Sequence, residues 1–200
     1  MPQNAGTAII YKEVPLIMHM MKEEKWKLVK RRLALRTRLF KVFLDDVLLP
    51  NGTRIKDFVV IQKPSYVKIV ALDCRGRLVV TREYRHAVDR YMWELPGGFV
   101  DRGEQVLAAA RRELAEETGY TRGRFKLMGS ISDFGSTDTH TGYIVRATGV
   151  SGLRKQSLED TESISSVTLM PMRKVRRMII RNEFENSSAI AAMAIAGILF

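Results

Sequence analysis

Five charged side chains near the middle of the chain have the types and spacing needed for chemistry on phosphates. They are Glu104, Arg112, Glu113, Glu116 and Glu117. Because each helical residue turns roughly 100°, a helix would place Glu117 about 40° to one side of Glu113 and Glu116 about 60° to the other. Carboxylates this close repel one another, and Arg112 or a hard cation such as Mg²⁺ would offset the repulsion. The spacing indicates a divalent-metal site; a solvated charged helix is the alternative interpretation of the three glutamates taken alone.

The elements that must position these residues are predicted from local patterns. Residues 105–118 are rich in Ala, Leu, Glu and Arg, which favours a helix, and Gly119 follows where a left-handed glycine commonly ends one. The sequence of residues 93–98, in which Pro-Gly-Gly follows Trp-Glu-Leu, predicts a strand followed by a turn. Further strands are predicted at residues 66–72, 78–81, 125–131, 142–147 and 163–169, and further helices at residues 172–181 and 187–199. Strands that alternate with helices predict an α/β fold of packed layers.

The N-terminal part of the chain has a different character. Residues 26–61 contain strand-like apolar runs, and the Pro-Asn-Gly sequence at residues 50–52 supplies turn chemistry between them. Residues 1–24 show no firm pattern. We therefore predict an N-terminal extension with a small β-meander over residues 1–62 and an α/β domain over residues 63–200.

Composition limits the class of protein. The chain is 46% hydrophobic and 28% charged, as globular proteins usually are. Its one cysteine, Cys74, excludes an internal disulfide, so a reducing cytoplasm is the expected compartment. No secretory signal is visible, and the apolar run at residues 189–200 is shorter than the ~20 residues of a membrane span, so we expect no membrane partner. The formal charge of +11 favours phosphorylated ligands in general or is only a solvated basic face.

The stretch from residue 98 to residue 120 resembles the Nudix box at each of its defining positions. It reads Gly, five residues, Glu104, seven residues, Arg-Glu-Leu, one residue, Glu-Glu, one residue, Gly-Tyr. The resemblance implies a Nudix-type α/β/α sandwich around a mixed sheet, in which the box holds Mg²⁺, with Mn²⁺ as an alternative ion. It also implies hydrolysis, by attack of water on a phosphorus of a diphosphate bridge.

Site roles follow from the resemblance position by position. Metal binding falls on the side chains of Glu113, Glu116 and Glu117 and on the backbone carbonyl of Gly97. Glu116 would be either a ligand or the holder of metal-bound water. Glu104 resembles the upstream glutamate that supports the site, and Arg112 would orient the glutamates.

Two segments before the helix resemble the ADP-ribose and ADP-sugar pyrophosphatases. They are Arg-Glu-Tyr-Arg at residues 82–85 and Trp-Glu-Leu-Pro-Gly-Gly at residues 93–98. By that resemblance Arg85 would contact a phosphate, since a guanidinium suits bidentate binding, and Glu94 would contact the substrate or the metal loop. A plain surface arginine and a loop-bracing glutamate are the respective alternatives. The implied substrate is ADP-ribose or another ADP-sugar, cleaved to AMP and a sugar phosphate.

The general base and the particular substrate stay open at this point. We prefer Glu162 as the base, with Glu159, Asp160 and Asp138 as alternatives, because only geometry decides which acid reaches the attacking water. Residues 132–139 lack a proline that these pyrophosphatases often have. Dinucleotides, nucleoside triphosphates and capped RNA therefore remain alternative substrates.

Partners are expected from the same resemblance. The N-terminal β region of these pyrophosphatases commonly swaps between two subunits, which implies a homodimer. A non-catalytic RNA-binding module of the family is the alternative function. The clustered acids argue against that module, so we expect a nucleotide-sugar substrate and no nucleic-acid partner.

Overall fold

The computed structural model describes residues 24–158 and 163–199 of the chain. These residues form a three-stranded sheet, a six-stranded sheet and three α-helices. Within them, no helix is both long enough and apolar enough to cross a membrane.

The small sheet is an antiparallel meander at the N-terminal side. Its strands are β1 (Lys27–Arg36), β2 (Lys41–Leu48) and β3 (Arg54–Gln62), in that order across the sheet. The Asn51 side-chain oxygen accepts a hydrogen bond from the Thr53 amide at 3.0 Å, and Gly52 has a φ of +84°, so the predicted turn chemistry closes the β2–β3 hairpin. The predicted β-meander is confirmed.

The large sheet supplies the frame of the site. Its strands are β4 (Tyr66–Leu72), β5 (Leu78–Arg85), β6 (Arg90–Glu94), β7 (Tyr120–Ile131), β8 (Gly142–Leu153) and β9 (Ile164–Met170). They lie in the order β6-β5-β4-β8-β7, and β9 pairs with β5. The β4–β8 pair is parallel and the other pairs are antiparallel, so the sheet is mixed.

Helices cover both faces of this sheet. Helix α1 (Val106–Thr118) packs on one face, and α2 (Met172–Ile180) and α3 (Ser187–Ile195) pack on the other. The predicted α/β/α sandwich is therefore confirmed. Gly119 ends α1 in the left-handed region at φ +79°, as predicted, and its amide donates to the Ala115 carbonyl.

Strand β4 shows why the sheet is buried on both sides. Val67 and Ile69 belong to the apolar cluster under α1, whereas Val70 belongs to the cluster under α2 and α3. Successive side chains of a strand point to opposite faces. The near-continuous apolar run of β4 therefore packs into both hydrophobic cores, one on each face of the sheet. Lys68 interrupts that run on the α3 side and is itself buried.

Some predicted boundaries were wrong. Strand β5 continues beyond residue 81 to Arg85, where it pairs with β6, and β8 continues beyond residue 147 to Leu153, where it pairs with β7. Ladder hydrogen bonds stabilise these partly polar extensions, which a search for apolar runs does not detect. The final helix ends at Ile195 rather than at residue 199, and Gly197 follows with a φ of +70°.

The loop between β7 and β8 contacts the small sheet. The Ile61 amide donates to the Thr137 carbonyl at 2.8 Å, and the Thr139 amide donates to the Ile61 carbonyl at 3.1 Å. Lys63 Nζ pairs with Asp138 at 2.6 Å. These contacts fix the end of β3 against the large domain.

Candidate active site

A cavity of about 930 Å³ opens where the ends of several elements meet. The β1–β2 turn, the ends of β5 and β6, the loop before α1, α1 itself and the N-terminus of α3 all line it. Its charged lining residues are Arg38, Lys63, Lys68, Arg85, Arg102 and Arg112, and Glu83, Glu94, Asp101, Glu113, Glu117 and Asp133. The volume suits a small-molecule ligand, and the mixture of charges suits one that carries phosphate.

Two of the three predicted carboxylates of α1 reach this cavity. Glu113 and Glu117 line it and are only 6% and 4% exposed. Glu117 Oε2 accepts a hydrogen bond from the Gly97 amide at 3.0 Å. Glu116 lies outside the cavity lining, beside Arg112. Helical spacing alone puts all three carboxylates on one face, so the packing of α1 on the sheet decides which of them enter the cavity.

The loop before α1 is shaped by two glycines. A Cβ at Gly97, which has a φ of +150°, would collide with the Val67 carbonyl of β4. A Cβ at Gly98 would lie 2.5–2.7 Å from the carboxylate atoms of Glu113. The Gly98 carbonyl accepts from the Val67 amide at 2.9 Å, which seats the loop on the sheet. The missing side chain at Gly98 therefore makes the space that the Glu113 carboxylate occupies.

Replacing Gly98 by Ala is expected to displace the Glu113 carboxylate while leaving the fold intact, because Gly98 has no positive φ. Activity should fall about 10- to 100-fold, the usual cost of misplacing a group that supports a metal ligand. Steady-state kinetics over a range of Mg²⁺ concentrations would measure it. The matched control is Gly129→Ala in β7, where a Cβ meets only Ile195 at 3.4 Å. Unchanged kinetics of Gly98→Ala would contradict the role of this space.

Arg112 binds three acids at once. Its Nε and Nη2 donate to the two carboxylate oxygens of Glu104 at 3.0 and 2.9 Å. Its Nη1 donates to Glu113 at 2.8 Å and to Glu116 at 3.2 Å. Its Nη2 also donates to the Phe99 carbonyl at 3.0 Å, so one guanidinium joins α1 to its preceding loop. The hydrogen bond to Glu104 is the main cause that raises the pKa of Arg112 above its usual value.

A second charged group sits at the ends of β5 and β6. Glu94 is fully buried, and its Oε1 accepts from Arg85 Nε at 3.1 Å and its Oε2 from Lys68 Nζ at 2.9 Å. Arg85 Nη1 also pairs with Glu83 at 2.8 Å. Burial alone raises the pKa of Glu94, but attraction to Lys68 and Arg85 outweighs it and lowers the pKa. Glu94 is thus an anion that holds two cavity cations.

Comparison with known proteins connects this geometry to a family. A family model of the NUDIX domain matches residues 62–192, which is more than half of the chain. The chain belongs to the Nudix family. The match spans the large sheet and α1, together with α2 and most of α3.

Relatives of this Nudix hydrolase include two proteins named ADP-ribose pyrophosphatase. The one from Mycobacterium tuberculosis is 29% identical over 156 residues, which are 78% of this chain and 75% of the relative. The one from Bacillus subtilis is 32% identical over 101 residues, which are 50% of this chain and 54% of the relative. A solved structure titled as an ADP compounds hydrolase superposes with a TM-score of 0.74 over 87% of this chain and 93% of its own, at 23% identity.

Nudix hydrolases depend on a divalent metal ion, and the carboxylates of α1 fit one. Within residues 24–158 and 163–199, no three Asp, Glu, His or Cys side chains converge as a ready-made site. Glu113 and Glu117 nevertheless carry like charges into one cavity, nearly buried, and Gly98 leaves room for the first of them. Two carboxylates supplemented by substrate phosphate oxygens are a donor set that Mg²⁺ accepts. Bound there, a divalent cation would supply charge neutralisation and a more acidic water.

The preferred general base, Glu162, lies outside the described residues, as do Glu159 and Asp160. The chain just before that segment lies against α1, where the Ser157 amide donates to the Glu116 carbonyl at 3.0 Å. The alternative, Asp138, is described, but it is not part of the cavity lining. Burial raises its pKa, and hydrogen bonds from Lys63 and Thr137 more than offset this, so the pKa of Asp138 is lowered.

Several cavity residues were missed by sequence reasoning. Lys68 could have been noticed, because a charged residue inside an apolar strand run is unusual. Tyr66, Asp133 and His140 form a partly buried corner, in which the Tyr66 hydroxyl donates to Asp133 at 2.5 Å and His140 Nε2 lies 3.4 Å from the same carboxylate. Asn186 donates to Glu94 across 92 residues of sequence, and no local pattern reports such a contact.

Stability should depend on pH through Glu104. Its hydrogen bonds from Arg112 are the main cause that lowers the pKa of this carboxyl from its usual 4.5. A lowered folded-state pKa stabilises the fold above the unfolded-state value, and that contribution is lost as pH falls through the folded-state value. Glu104→Gln should therefore cost about 1 kcal/mol near pH 7, given its partial exposure. The difference from wild type should shrink below pH 4.5, as measured by urea unfolding; a constant difference would contradict this.

Proposed function

We propose that this Nudix hydrolase cleaves the diphosphate bond of ADP-ribose or another ADP-sugar, with Mg²⁺, to AMP and a sugar phosphate. One observation carries the proposal: a single cavity presents the paired carboxylates Glu113 and Glu117 together with the guanidinium of Arg85. A diphosphate needs both, because a metal and a fixed cation share the charge that develops on its oxygens. The names of the two relatives support the choice of ADP-ribose.

The proposed residue roles follow from the geometry. Glu113 and Glu117 would hold the metal ion, with the Gly97 carbonyl as a further ligand, and Arg112 keeps the helix and loop together through Glu104. Glu116 would act from outside the cavity lining through its contact with Arg112. Arg85 would bind a phosphate. Phe40, on the β1–β2 turn, lines the same cavity and offers an aromatic surface for a nucleobase.

The overall reaction balances with water as the only co-reactant. The water oxygen forms a new bond to one phosphorus, the bridging P–O bond breaks, and the bridging oxygen leaves with the other phosphate. A carboxylate must take the proton of the water, and we propose Glu162 for this role.

A substrate panel tests the proposed function. Purified protein with Mg²⁺ would be given ADP-ribose, other ADP-sugars, dinucleotides, nucleoside triphosphates and capped RNA, and the products identified by chromatography. We expect the highest kcat/KM for an ADP-sugar, with AMP as a product. A higher value for a dinucleotide, a triphosphate or capped RNA would replace the proposed substrate. Salt-dependent RNA binding without any turnover would instead indicate a non-catalytic module.

We also propose that residues 1–62 mediate a homodimer and residues 63–200 form the hydrolase domain. Every residue of β1 is exposed in the single chain, including Leu33 and Leu35 at 47% and 56%. Trp26, Leu28, Val29 and Val59 are exposed in or beside the same sheet. Apolar surface of this extent usually marks an interface, and closed two-fold pairs are the commonest oligomers.

Light scattering coupled to size exclusion would test the dimer. Wild-type protein should have about twice the 22.8 kDa mass of one chain, and the double variant Leu33→Lys, Leu35→Lys should shift toward one chain. Ile180→Lys is the matched control, because Ile180 is 84% exposed on α2, far from the small sheet in sequence. A monomeric wild-type protein would refute the proposal.

A further inference from the structure

The Glu94 carboxylate is held by a third partner from the far end of the chain. Asn186 Nδ2 donates to Glu94 Oε1 at 2.7 Å, alongside Arg85 Nε at 3.1 Å. Lys68 Nζ binds the other oxygen, Oε2, at 2.9 Å and reaches the Leu95 carbonyl at 3.4 Å. Both carboxylate oxygens are therefore engaged, and all four side chains line the cavity.

The two polar atoms of the Asn186 amide group have different roles. Its Oδ1 accepts from the Ala189 amide at 2.8 Å and from Ser188 Oγ at 2.9 Å, which caps the N-terminus of α3. Its Nδ2 makes the contact to Glu94. The cap alone needs only an acceptor, and serine supplies one equally well. The donor half of the amide is therefore unnecessary for α3.

Lys68 completes the arrangement from the sheet. It shares a face of β4 with Val70, which packs with Ala189 and Met193 of α3, so its ammonium points to the same side as Asn186. The ammonium is buried and Glu94 is its counter-ion. A carboxylate bound to Lys68 alone could still rotate, and the two donors on Oε1 remove that freedom. Arg85 depends on this, because Glu94 and Glu83 hold two of its three nitrogens.

We propose that Asn186 is a positioning residue of the active site: with Lys68 it fixes the Glu94 carboxylate that orients Arg85 toward a bound diphosphate. This inference rests on the proposed function for its substrate. It adds α3, an element outside the Nudix box, to the machinery of the cavity. Asn186 acts through Glu94 and Arg85 and so differs from a residue that merely stabilises the helix.

The test variant is Asn186→Ser, which keeps a capping oxygen but is too short to reach Glu94. We expect kcat/KM for ADP-ribose to fall about tenfold, the effect of losing one hydrogen bond to a charged group. The loss should fall mainly on KM, because Arg85 is a binding cation. The melting temperature should fall by only a few degrees, because one hydrogen bond is lost while the helix cap is kept. Ser187→Ala is the matched control, since Ser187 is exposed, lies next in sequence and is not part of the cavity lining.

A double-mutant cycle separates positioning from structure. If Asn186 acts through Arg85, adding Asn186→Ser to Arg85→Ala should change kcat/KM by less than about twofold. A purely structural role would give the same tenfold factor in both backgrounds, and that result would overturn the inference. A large fall in the melting temperature of Asn186→Ser, with no coupling to Arg85→Ala, would overturn it as well.

Binding of ADP, measured by calorimetry, tests the positioning role of Asn186 separately from the proposed hydrolysis of an ADP-sugar. The dissociation constant should rise about tenfold in Asn186→Ser and should not rise further when Arg85→Ala is already present. If the wild type binds ADP with this coupling but hydrolyses no ADP-sugar, the proposed function fails and the positioning role stands. If hydrolysis is found and the coupling is absent, the positioning role fails alone. Undetectable ADP binding by the wild type would overturn the inference.

Discussion

Glu117→Gln is expected to lower kcat for ADP-ribose by roughly 10²–10³-fold, the range seen when one electrostatic contact to a transition state is removed. Glu117 is 4% exposed and lines the cavity, so its charge acts in a site largely shielded from water. A glutamine has nearly the same shape, and its side-chain oxygen can still accept from the Gly97 amide. The loop should therefore stay in place while the charge is lost.

The thermal stability of Glu117→Gln should not fall with its activity. Removing one of two nearby buried carboxylates relieves repulsion within α1, so the melting temperature should be unchanged or slightly higher without metal. Calorimetric melts and single-turnover kinetics on the same preparation would measure both effects. Glu116→Gln is the comparison on the same helix, and because Glu116 lies outside the cavity lining we expect only about a tenfold loss. Equal losses in the two variants would contradict the assignment of Glu117 to the metal.

The contrast between these glutamates shows what the sequence could predict. Spacing along a helix is a local property, and the proximities that it predicts are present: Glu113 and Glu117 line one cavity, and Arg112 contacts Glu116. It could not predict which side of the helix the cavity would cover, because that depends on how α1 packs on the sheet. Glu116 therefore fell outside the lining although its spacing fits the same face.

Contacts between segments that are distant in sequence could not be predicted either. Arg85 and Glu94 were recognised as candidates from short motifs, but their mutual ion pair arises because β5 and β6 are neighbours in the sheet. Lys68 and Asn186 had no motif at all and become part of the site only through tertiary contacts with Glu94, from β4 and from the start of α3 respectively. The layers of the fold were predictable from alternating strands and helices, whereas the strand extensions depended on pairing partners that a linear pattern does not name.

Arg112→Met is expected to damage activity and stability together. The guanidinium is the shared partner of Glu104, Glu113 and Glu116, and it is 28% exposed. Its loss leaves three acids near one another without their cation. We expect the free energy of unfolding to fall by about 2–3 kcal/mol, somewhat less than for a fully buried pair, and kcat/KM to fall about 100-fold. Urea denaturation and steady-state kinetics would measure these changes.

Two comparisons make this prediction specific to the geometry of Arg112. Lysine carries the same charge but cannot make the two-pronged contact to Glu104, so Arg112→Lys should recover only part of the loss. Arg111→Met, at the neighbouring exposed position, should cost less than about 1 kcal/mol. Mg²⁺ should raise the melting temperature of Arg112→Met more than that of wild type, because the ion would neutralise carboxylates that have lost their arginine. An equal response to Mg²⁺ would mean that Arg112 and the metal act on different acids.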